Sequence, residues 1–454
     1  MNVDFSKKEI GSIFLIVCLM LLLIPGSFIN RTAFSADADT YKNLKLFNQV
    51  LDMVEKNYVE EIDSKEIIEG AINGMMKSLD PHSLYLTPEM YKDLEVSTKG
   101  VFGGLGIEIS MVDDIITVIS PLEDTPAYRA GLKAGDQIIK IEGESTKGYT
   151  IYDAVHKLRG KAGTKVTITI MREEFDTPKD VEITRDNIKI KSVKYQMYED
   201  AYGYIRLSSF QQTTARELRK ALGSLEEEAG SLSGLILDMR NNPGGLLNQA
   251  VDVSDIFLKS GVIVSSKGRI EDSEKIFSAQ NDGDEIGCPI VVLINGGTAS
   301  ASEIVAGALR DNERAVLLGT RSFGKGSVQV VTPLSNGAAL KLTIAKYYTP
   351  SGKSIQAKGI EPDIIVEASN NRLSAKEKIQ RLREKDLKGH IEGEGEEKET
   401  LENENEAADE NEPAADEKDE QAERLQRDSQ LKSAIDVLKS WQILKQSSIS
   451  KAVS

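Results

Sequence analysis

Cysteine occurs twice in the 454 residues, as Cys18 and Cys288. Cys18 lies in an N-terminal apolar run, so a processed chain would keep one thiol and no intramolecular disulfide. No CxxC pair or metal-ligand cluster is present, and neither a metal nor another cofactor is expected. Val17 stands before Cys18 where a lipoprotein signal would carry a small residue, which argues against that signal. Histidine occurs three times, leaving few candidates for the usual neutral-pH general base. A basic stripe is lacking too, so nucleic-acid binding is not supported. The net charge of −16 is concentrated between Glu392 and Glu423, where 16 acidic residues face 2 basic ones, a local −14 that leaves −2 for the rest. The folded body is therefore nearly neutral. The acidic run, interspersed with Gly, Asn, Ala and Pro, reads as a solvated, disordered linker.

At 40% hydrophobic residues the chain can build real cores, and its length suits two or three domains. Lys7 and Lys8 precede the apolar stretch from Ile10 to Ile24, an export segment. It is short for a full membrane span, but extension to Ile29 would suffice, so a cleavable signal peptide and a retained anchor both stay open. Ala33-Phe34-Ser35 matches a cleavage site moderately. Either way, the remainder of the chain is expected outside the cytoplasmic membrane, in the periplasm or an equivalent space. Residues 37–98 read as helices, with one stripe of Leu46, Val50, Met53 and Val54 and another of Ile67, Ile68, Ala71, Ile72, Met75 and Met76. At the far end, Leu431, Ile435, Leu438, Trp441, Ile443 and Leu444 mark an amphipathic helix that could dock back, dimerise or bind an adaptor.

Two stretches carry chemistry. Thr298-Ala299-Ser300-Ala301-Ser302-Glu303 follows the β-branched run Pro289 to Ile294 and leads into helical spacing from Glu303 to Leu309. A serine at such a strand-to-helix turn faces a helix N-terminus, whose unpaired N–H groups and dipole favour an oxyanion. Serine and threonine are also common helix caps, and this stretch alone leaves capping and catalysis both open. In Phe323-Gly324-Lys325-Gly326-Ser327-Val328-Gln329, Lys325 sits between glycines that permit close approach, ahead of an alternating strand from Val328 to Pro333. A lysine is a general base only when neutral, and burial beside a nucleophile depresses its pKa to that end. Gln329, four residues on, is placed to hydrogen-bond the lysine. Without its context Lys325 would read as an ordinary turn lysine.

These residues resemble the carboxyl-terminal processing peptidases, tail-specific serine proteases with a Ser-Lys dyad and a built-in PDZ domain, over roughly residues 40–368. The resemblance implies that Ser300 is the nucleophile and Lys325, twenty-five residues on, the base, with Gln329 orienting the lysine. Ser302 is assigned to capping or packing. Gly234 to Gly245 reads as a strand, Leu235 to Met239, running into a turn that could be purely structural. By resemblance, this Asn-Asn-x-Gly-Gly turn gives the oxyanion hole one backbone donor, from Gly244 or Gly245, and Ala301 gives the other. Leu79-Asp-Pro-His-Ser-Leu-Tyr85 also matches the family. With Lys325 available and no family precedent for a base there, His82 is not assigned to chemistry.

Residues 99–187 have the signature of a PDZ module. Gly104-Leu105-Gly106-Ile107 opens an alternating strand, and the N–H groups of such a loop can bind a terminal carboxylate. Downstream, from Ser120 to Gly143, come a short helix, a tight Gly-Asp turn and a strand in the order found in bacterial PDZ domains. The helix from Thr150 to Leu158 has Ile151, Val155 and Leu158 on one face, a wall for a peptide groove that is partly domain core. His156 falls at the groove rim or surface. Arg159 ends that helix and could couple the PDZ domain to the protease site.

The expected architecture is multidomain α/β and α+β. It comprises a signal peptide or anchor (1–36), a helical N-terminal region (37–98), an inserted PDZ domain (99–187), a crotonase-like Ser-Lys protease core (188–368), the acidic linker (369–425) and a C-terminal helix (426–454). The expected activity is an exported endopeptidase whose partners are proteins with exposed apolar C-termini, with an activating adaptor and a homodimer through the C-terminal helix as further partners. The competing readings are a non-catalytic PDZ scaffold, against which Ser300, Lys325 and Gln329 argue, and a non-peptide esterase, against which the PDZ domain argues.

Overall fold

The computed structural model describes residues 38–122, 124–172, 174–270, 274–280, 283, 285–368, 383–393, 425 and 427–453. The predicted export segment and most of the predicted acidic linker lie outside the described residues. Two compact units divide at Ala71 and Ile72. The first holds α1 (Ala38–Asn57) and the start of α2 (Ser64–Lys77). Of the predicted stripe of α1, Leu46, Val50 and Met53 are exposed and Val54 is half-buried. No helix among the described residues is long and apolar enough to cross a membrane.

In the second unit, α3 (Pro88–Lys99) precedes a six-stranded antiparallel sheet in which β1 (Ile107–Val112), β2 (Ile115–Pro121), β3 (Gln137–Ile141), β4 (Lys165–Met171) and β5 (Lys179–Thr184) lie in sequence order, with the two-residue strand Glu144–Ser145 also on β3. Helix α4 (Ile151–Leu158) is capped by Thr150, whose hydroxyl accepts from the Asp153 N–H at 3.2 Å. Its Ala154 and Leu158 close the core formed by Ile116, Val118, Ile138 and Ile168. The Gly-Asp turn is fixed by Asp136, fully buried, which accepts from Arg172 Nε at 2.6 Å and from the Lys133 N–H at 2.9 Å.

From Val193 the chain runs through β6 (Val193–Tyr198), β7 (Tyr202–Leu207), α5 (Thr214–Ala229), β8 (Gly234–Asp238), α6 (Leu247–Asp255), β9 (Val262–Gly268), β10 (Lys275–Ser278), β11 (Ile290–Ile294), α7 (Ala301–Asp311), β12 (Ala315–Gly319), β13 (Ser327–Pro333), β14 (Ala339–Tyr348) and β15 (Ile364–Ile365). The central sheet is ordered β6-β7-β8-β11-β12-β15, parallel from β7 onward, with β6 antiparallel at one edge. A second, antiparallel sheet joins the short strand Leu84–Leu86 to β14, β9 and β10, with β13 also on β14.

The runs Leu235-Ile-Leu237 and Ile290 to Ile294 are apolar at every position because both faces of the sheet are covered. Leu235, Leu237, Ile290, Val292 and Ile294 face α5, α6 and α7. Ile236, Val291 and Leu293 face the last helix, α8 (Ser429–Val453), through its Leu431, Ala434, Ile435 and Leu438. Docking back, one of the three expectations for this helix, is thus the arrangement observed, while Trp441, Ile443 and Leu444 remain exposed. A further departure concerns the linker: within it, Arg383–Gly393 packs on the body, and Glu384 is fully buried.

Leu438 is 1% exposed and lies against Gly234, where a Cβ would meet its Cδ2 at 2.8 Å. Leu438→Ala should therefore lower unfolding free energy by about 2–4 kcal/mol, read from chemical denaturation. A loss below about 1 kcal/mol would mean that α8 is not part of the core.

Candidate active site

Parallel strands deliver their C-terminal ends to one edge of the sheet, and the two predicted loops meet there. After β11, Asn295 and Thr298 tie the turn to the end of β8. The Thr298 hydroxyl donates to Met239 O at 2.9 Å, the Asn241 N–H to Asn295 Oδ1 at 2.8 Å, and the Ala299 N–H to Asn242 O at 2.9 Å. Ser300 then caps α7 with φ 56° and ψ −114°, a conformation that disfavours a residue with a Cβ by about 1–3 kcal/mol. Ser302 is fully buried, and its hydroxyl donates to Asn242 O at 3.0 Å. Its part is structural, holding the helix start to the Asn-Asn-Pro-Gly-Gly turn.

Glu303 joins the serine and lysine segments. It is fully buried one turn into α7, and its Oε2 accepts from the Ser300 N–H at 2.8 Å and the Lys325 N–H at 2.9 Å. Its Oε1 accepts from the Gly324 N–H at 2.7 Å and the Ser322 hydroxyl at 2.5 Å. The amides of Ser300 and Lys325 are thus two hydrogen-bond lengths apart through one oxygen atom. Burial pushes the Glu303 carboxyl up to about 7, against the pull of these donors, which favour the carboxylate. Sequence reasoning assigned Glu303 no role, although the Ser-x-x-Glu spacing of a capping box carried the signal.

Lys325 is half-buried, and burial, followed by the like charge of Lys341, lowers its pKa, while Glu384, Glu303 and Asp80 oppose the shift. No hydrogen bond among the described residues joins Ser300 Oγ to Lys325 Nζ. Such bonds often tighten only when substrate is present. The expected Gln329–Lys325 hydrogen bond is also not made. Gln329 Nε2 donates to Ser327 Oγ at 2.8 Å and Thr343 Oγ1 at 3.3 Å. The strand begins only at Ser327, so Lys325 lies ahead of it in the loop and strand alternation does not bring positions 325 and 329 to one face.

The glycine turn lies against the serine. A Cβ on Gly244, whose φ is 98°, would meet Ala299 O at 2.7 Å and Ala301 N at 2.9 Å. The Gly244 N–H is occupied by Asn242 Oδ1 at 2.9 Å, whereas those of Gly245 and Ala301 have no acceptor among the described residues. Gly245 is held by Phe210, whose N–H donates to Gly244 O and whose carbonyl accepts from the Leu246 N–H, both at 2.9 Å. Of the two glycines, Gly245 is therefore the one with a free donor. His82 is engaged elsewhere, with Nε2 at 2.8 Å from both carboxylate oxygens of Glu384.

In the PDZ loop the carbonyls of Leu105 and Gly106 accept from the Ala127 and Leu122 N–H groups, both at 2.9 Å. The N–H groups of Leu105 and Gly106 have no acceptor among the described residues. Gly104, Leu105 and Gly106 are buried and Ile107 half-buried. Only glycine fits at 106, where φ is 77° and a Cβ would lie 2.3 Å from that of Thr125. Val155 and Ile151 line a shallow cavity of about 570 Å³ whose opposite wall is Asp93, Leu94 and Ser97 of α3, while Leu158 of the predicted face is turned into the core. Arg159 does not reach the serine: its Nη1 is 3.2 Å from Asp93 Oδ1, and its guanidinium lies 4.8 Å from the Phe102 ring centre. His156 joins the same carboxylate at 3.5 Å.

Comparison with known proteins gives three family matches: peptidase family S41 over residues 201–366, a PDZ domain over 103–184, and the N-terminal domain of the activating protease CtpB over 29–90. A carboxy-terminal-processing protease of Bartonella bacilliformis is 50% identical over 361 residues, covering 79% of this chain and 82% of that one. The carboxy-terminal processing protease CtpA of Bacillus subtilis is 38% identical over 321 residues, covering 70% and 68%. A solved photosystem II D1 C-terminal processing protease aligns at 30% identity over 71% of this chain and 92% of that one, with a TM-score of 0.42. The chain belongs to the carboxy-terminal-processing proteases of peptidase family S41, serine-type enzymes, and carries a PDZ domain beside the protease core.

Proposed function

We propose that the protein is an exported endopeptidase that selects substrates by their C-termini and cleaves them with a Ser300–Lys325 dyad. The observation that carries this reading is the Glu303 carboxylate, which places the serine and lysine amides side by side at the start of α7. Neutral Lys325 takes the Ser300 proton as Oγ attacks the scissile carbonyl. The tetrahedral oxyanion is received by the N–H groups of Ala301 and Gly245, at a helix N-terminus that favours negative charge. Collapse of the intermediate returns the proton from Lys325 to the leaving amine, and water then hydrolyses the acyl-enzyme by the same shuttle. Gln329 acts on the lysine once the strand start adjusts around bound substrate. A substrate tail adds to the PDZ edge, with its carboxylate on the free N–H groups of Leu105 and Gly106. Export through residues 1–36 places this activity outside the cytoplasmic membrane.

A relay of contacts that runs from the end of the PDZ helix through α3 to the oxyanion turn supports coupling. Arg159 holds Asp93 on α3, Thr98 O near the end of α3 accepts from the Gln212 N–H at 3.0 Å, and the adjoining Phe210 pairs with Gly245.

Ser300→Ala and Lys325→Ala should each reduce digestion of an unfolded protein on the order of 10⁴-fold or more. Ser302→Ala, which loses one buried hydrogen bond, should keep most activity and forfeit about 1 kcal/mol of stability. Full activity in Ser300→Ala would end the dyad reading.

Glu303 must be ionised to accept its four donors, and Lys325 must be neutral to act, so each has to lose a proton. As pH falls through about 7, Glu303 takes up its proton and the joint between the loops weakens. The low-pH limb of kcat/KM should therefore be steeper than a single ionisation. Glu303→Gln, which turns an amide NH2 against N–H donors, should lower kcat by about 10–100-fold. A limb with unit slope together with normal kcat in Glu303→Gln would contradict this role.

For tail selection, an unfolded substrate with a free apolar C-terminus should be cleaved several-fold faster than the same chain amidated, with the difference lost in Arg159→Ala. Equal rates for the two wild-type substrates would remove the PDZ domain from selection.

A further inference from the structure

The sequence places residues 369–425 in a solvated linker, yet Arg383–Gly393 is seated against the loop that carries Lys325. Glu384 begins a 3₁₀ turn, Glu384–Asp386, with no solvent exposure. Its N–H donates to Phe323 O at 3.3 Å, on the N-terminal side of Lys325. On the C-terminal side, the Gly326 N–H donates to Gln356 Oε1 at 3.0 Å, and Gln356 Nε2 passes the connection on to Glu384 Oε1 at 3.0 Å. Gln356 is itself fully buried and also donates to Ile391 O at 2.9 Å, while Lys346 Nζ donates to Glu392 O at 2.7 Å. His82, from the Asp-Pro-His-Ser turn, completes the seat at 2.8 Å from both carboxylate oxygens.

We propose that Glu384 is a positioning residue for Lys325: it grips the Phe323–Gly326 loop on both sides of the lysine and sets part of the charge that the ammonium faces. The groups facing Lys325 are Lys341 of β14, Glu303 of α7, Asp80 of the turn before Leu84–Leu86, and Glu384 itself, with His82 against Glu384. Lys341 favours the neutral lysine. The three carboxylates favour the ammonium, and Glu384 is the largest of these opposing influences. Within the dyad reading, on which this inference rests, such a charge determines how far pH must rise before the base is free to act.

Two substitutions separate grip from charge. Glu384→Gln keeps an oxygen at the Oε1 position, where both Gln356 and His82 donate, and removes the charge. Glu384→Asp keeps the charge and shortens the reach. The full chain, labelled with ¹³C at the lysine ε-carbon, allows Lys325 to be titrated directly, its resonance assigned by its loss in Lys325→Ala. Glu384→Gln should lower the Lys325 pKa by about one unit and move the low-pH limb of kcat/KM in the same direction. Glu384→Asp should leave the titration near wild type and lower kcat about tenfold or more with KM held. With folding verified by near-UV circular dichroism, an unmoved or raised Lys325 pKa in Glu384→Gln overturns the charge role. Unchanged kcat in Glu384→Asp overturns the grip, and this arm decides the proposal if Glu384→Gln does not fold. Should Lys325→Ala retain activity, the dyad reading fails, while the titration still reports on Glu384.

Discussion

A carboxylate without solvent contact holds the two halves of the proposed catalytic pair together. Glu303 receives Ser300 and Lys325 on one oxygen, and Gly324 and Ser322 on the other. Taking a carboxylate out of water is unfavourable by several kcal/mol, and its raised pKa records that penalty. Four donors, three of them backbone amides, offset it. Because the donors come from two loops, neither loop can move without leaving a partner of the carboxylate unsatisfied, which is costly in a buried site. The rest of the core serves this joint. Every residue of α7 from Ala301 to Leu309 is buried, which fixes the helix that carries Glu303. The parallel pairing of β11 with β12 brings the two loops to the same edge of the sheet.

Much of this was legible in local patterns. The run from Pro289 to Ile294, the Ser-rich turn and the helical spacing after it described a strand, turn and helix that the structure contains almost residue for residue. The PDZ order was legible for the same reason, since its loop, turn and capped helix are each written within a few neighbouring residues. What escaped depends on contacts across long separations or on where a strand begins. Gln329, four residues on, is expected beside the lysine, but the strand starts at Ser327 and leaves Lys325 in the loop ahead of it. The segment around Glu384 is rich in charge and resembles the linker that surrounds it. Its partner His82 lies 302 positions away, so no window of sequence reveals that a carboxylate there is buried. For Gly244 and Gly245 the choice turned on which N–H the Asn242 side chain occupies, a matter of rotamer that composition does not encode.

A lysine base imposes a requirement that a histidine base does not. Histidine is partly neutral near pH 7 without assistance, whereas lysine starts more than three units above it, and its surroundings must do the rest. Burial can depress a lysine by up to about 3–5 units, and a neighbouring opposite charge can restore about 1–3. The site around Lys325 contains both influences, and the lowered pKa shows that burial together with Lys341 outweighs Glu384, Glu303 and Asp80. The carboxylates are nevertheless not simple defects. Glu303 is needed for the joint, and Asp80 orders its own turn by accepting from the His82 and Ser83 N–H groups at 2.8 and 2.9 Å. The same groups that fix the geometry of the base therefore restrain its deprotonation. Precision of placement and readiness of the lysine are set against each other, with burial first and the second lysine at 341 next in lowering the pKa against the carboxylates.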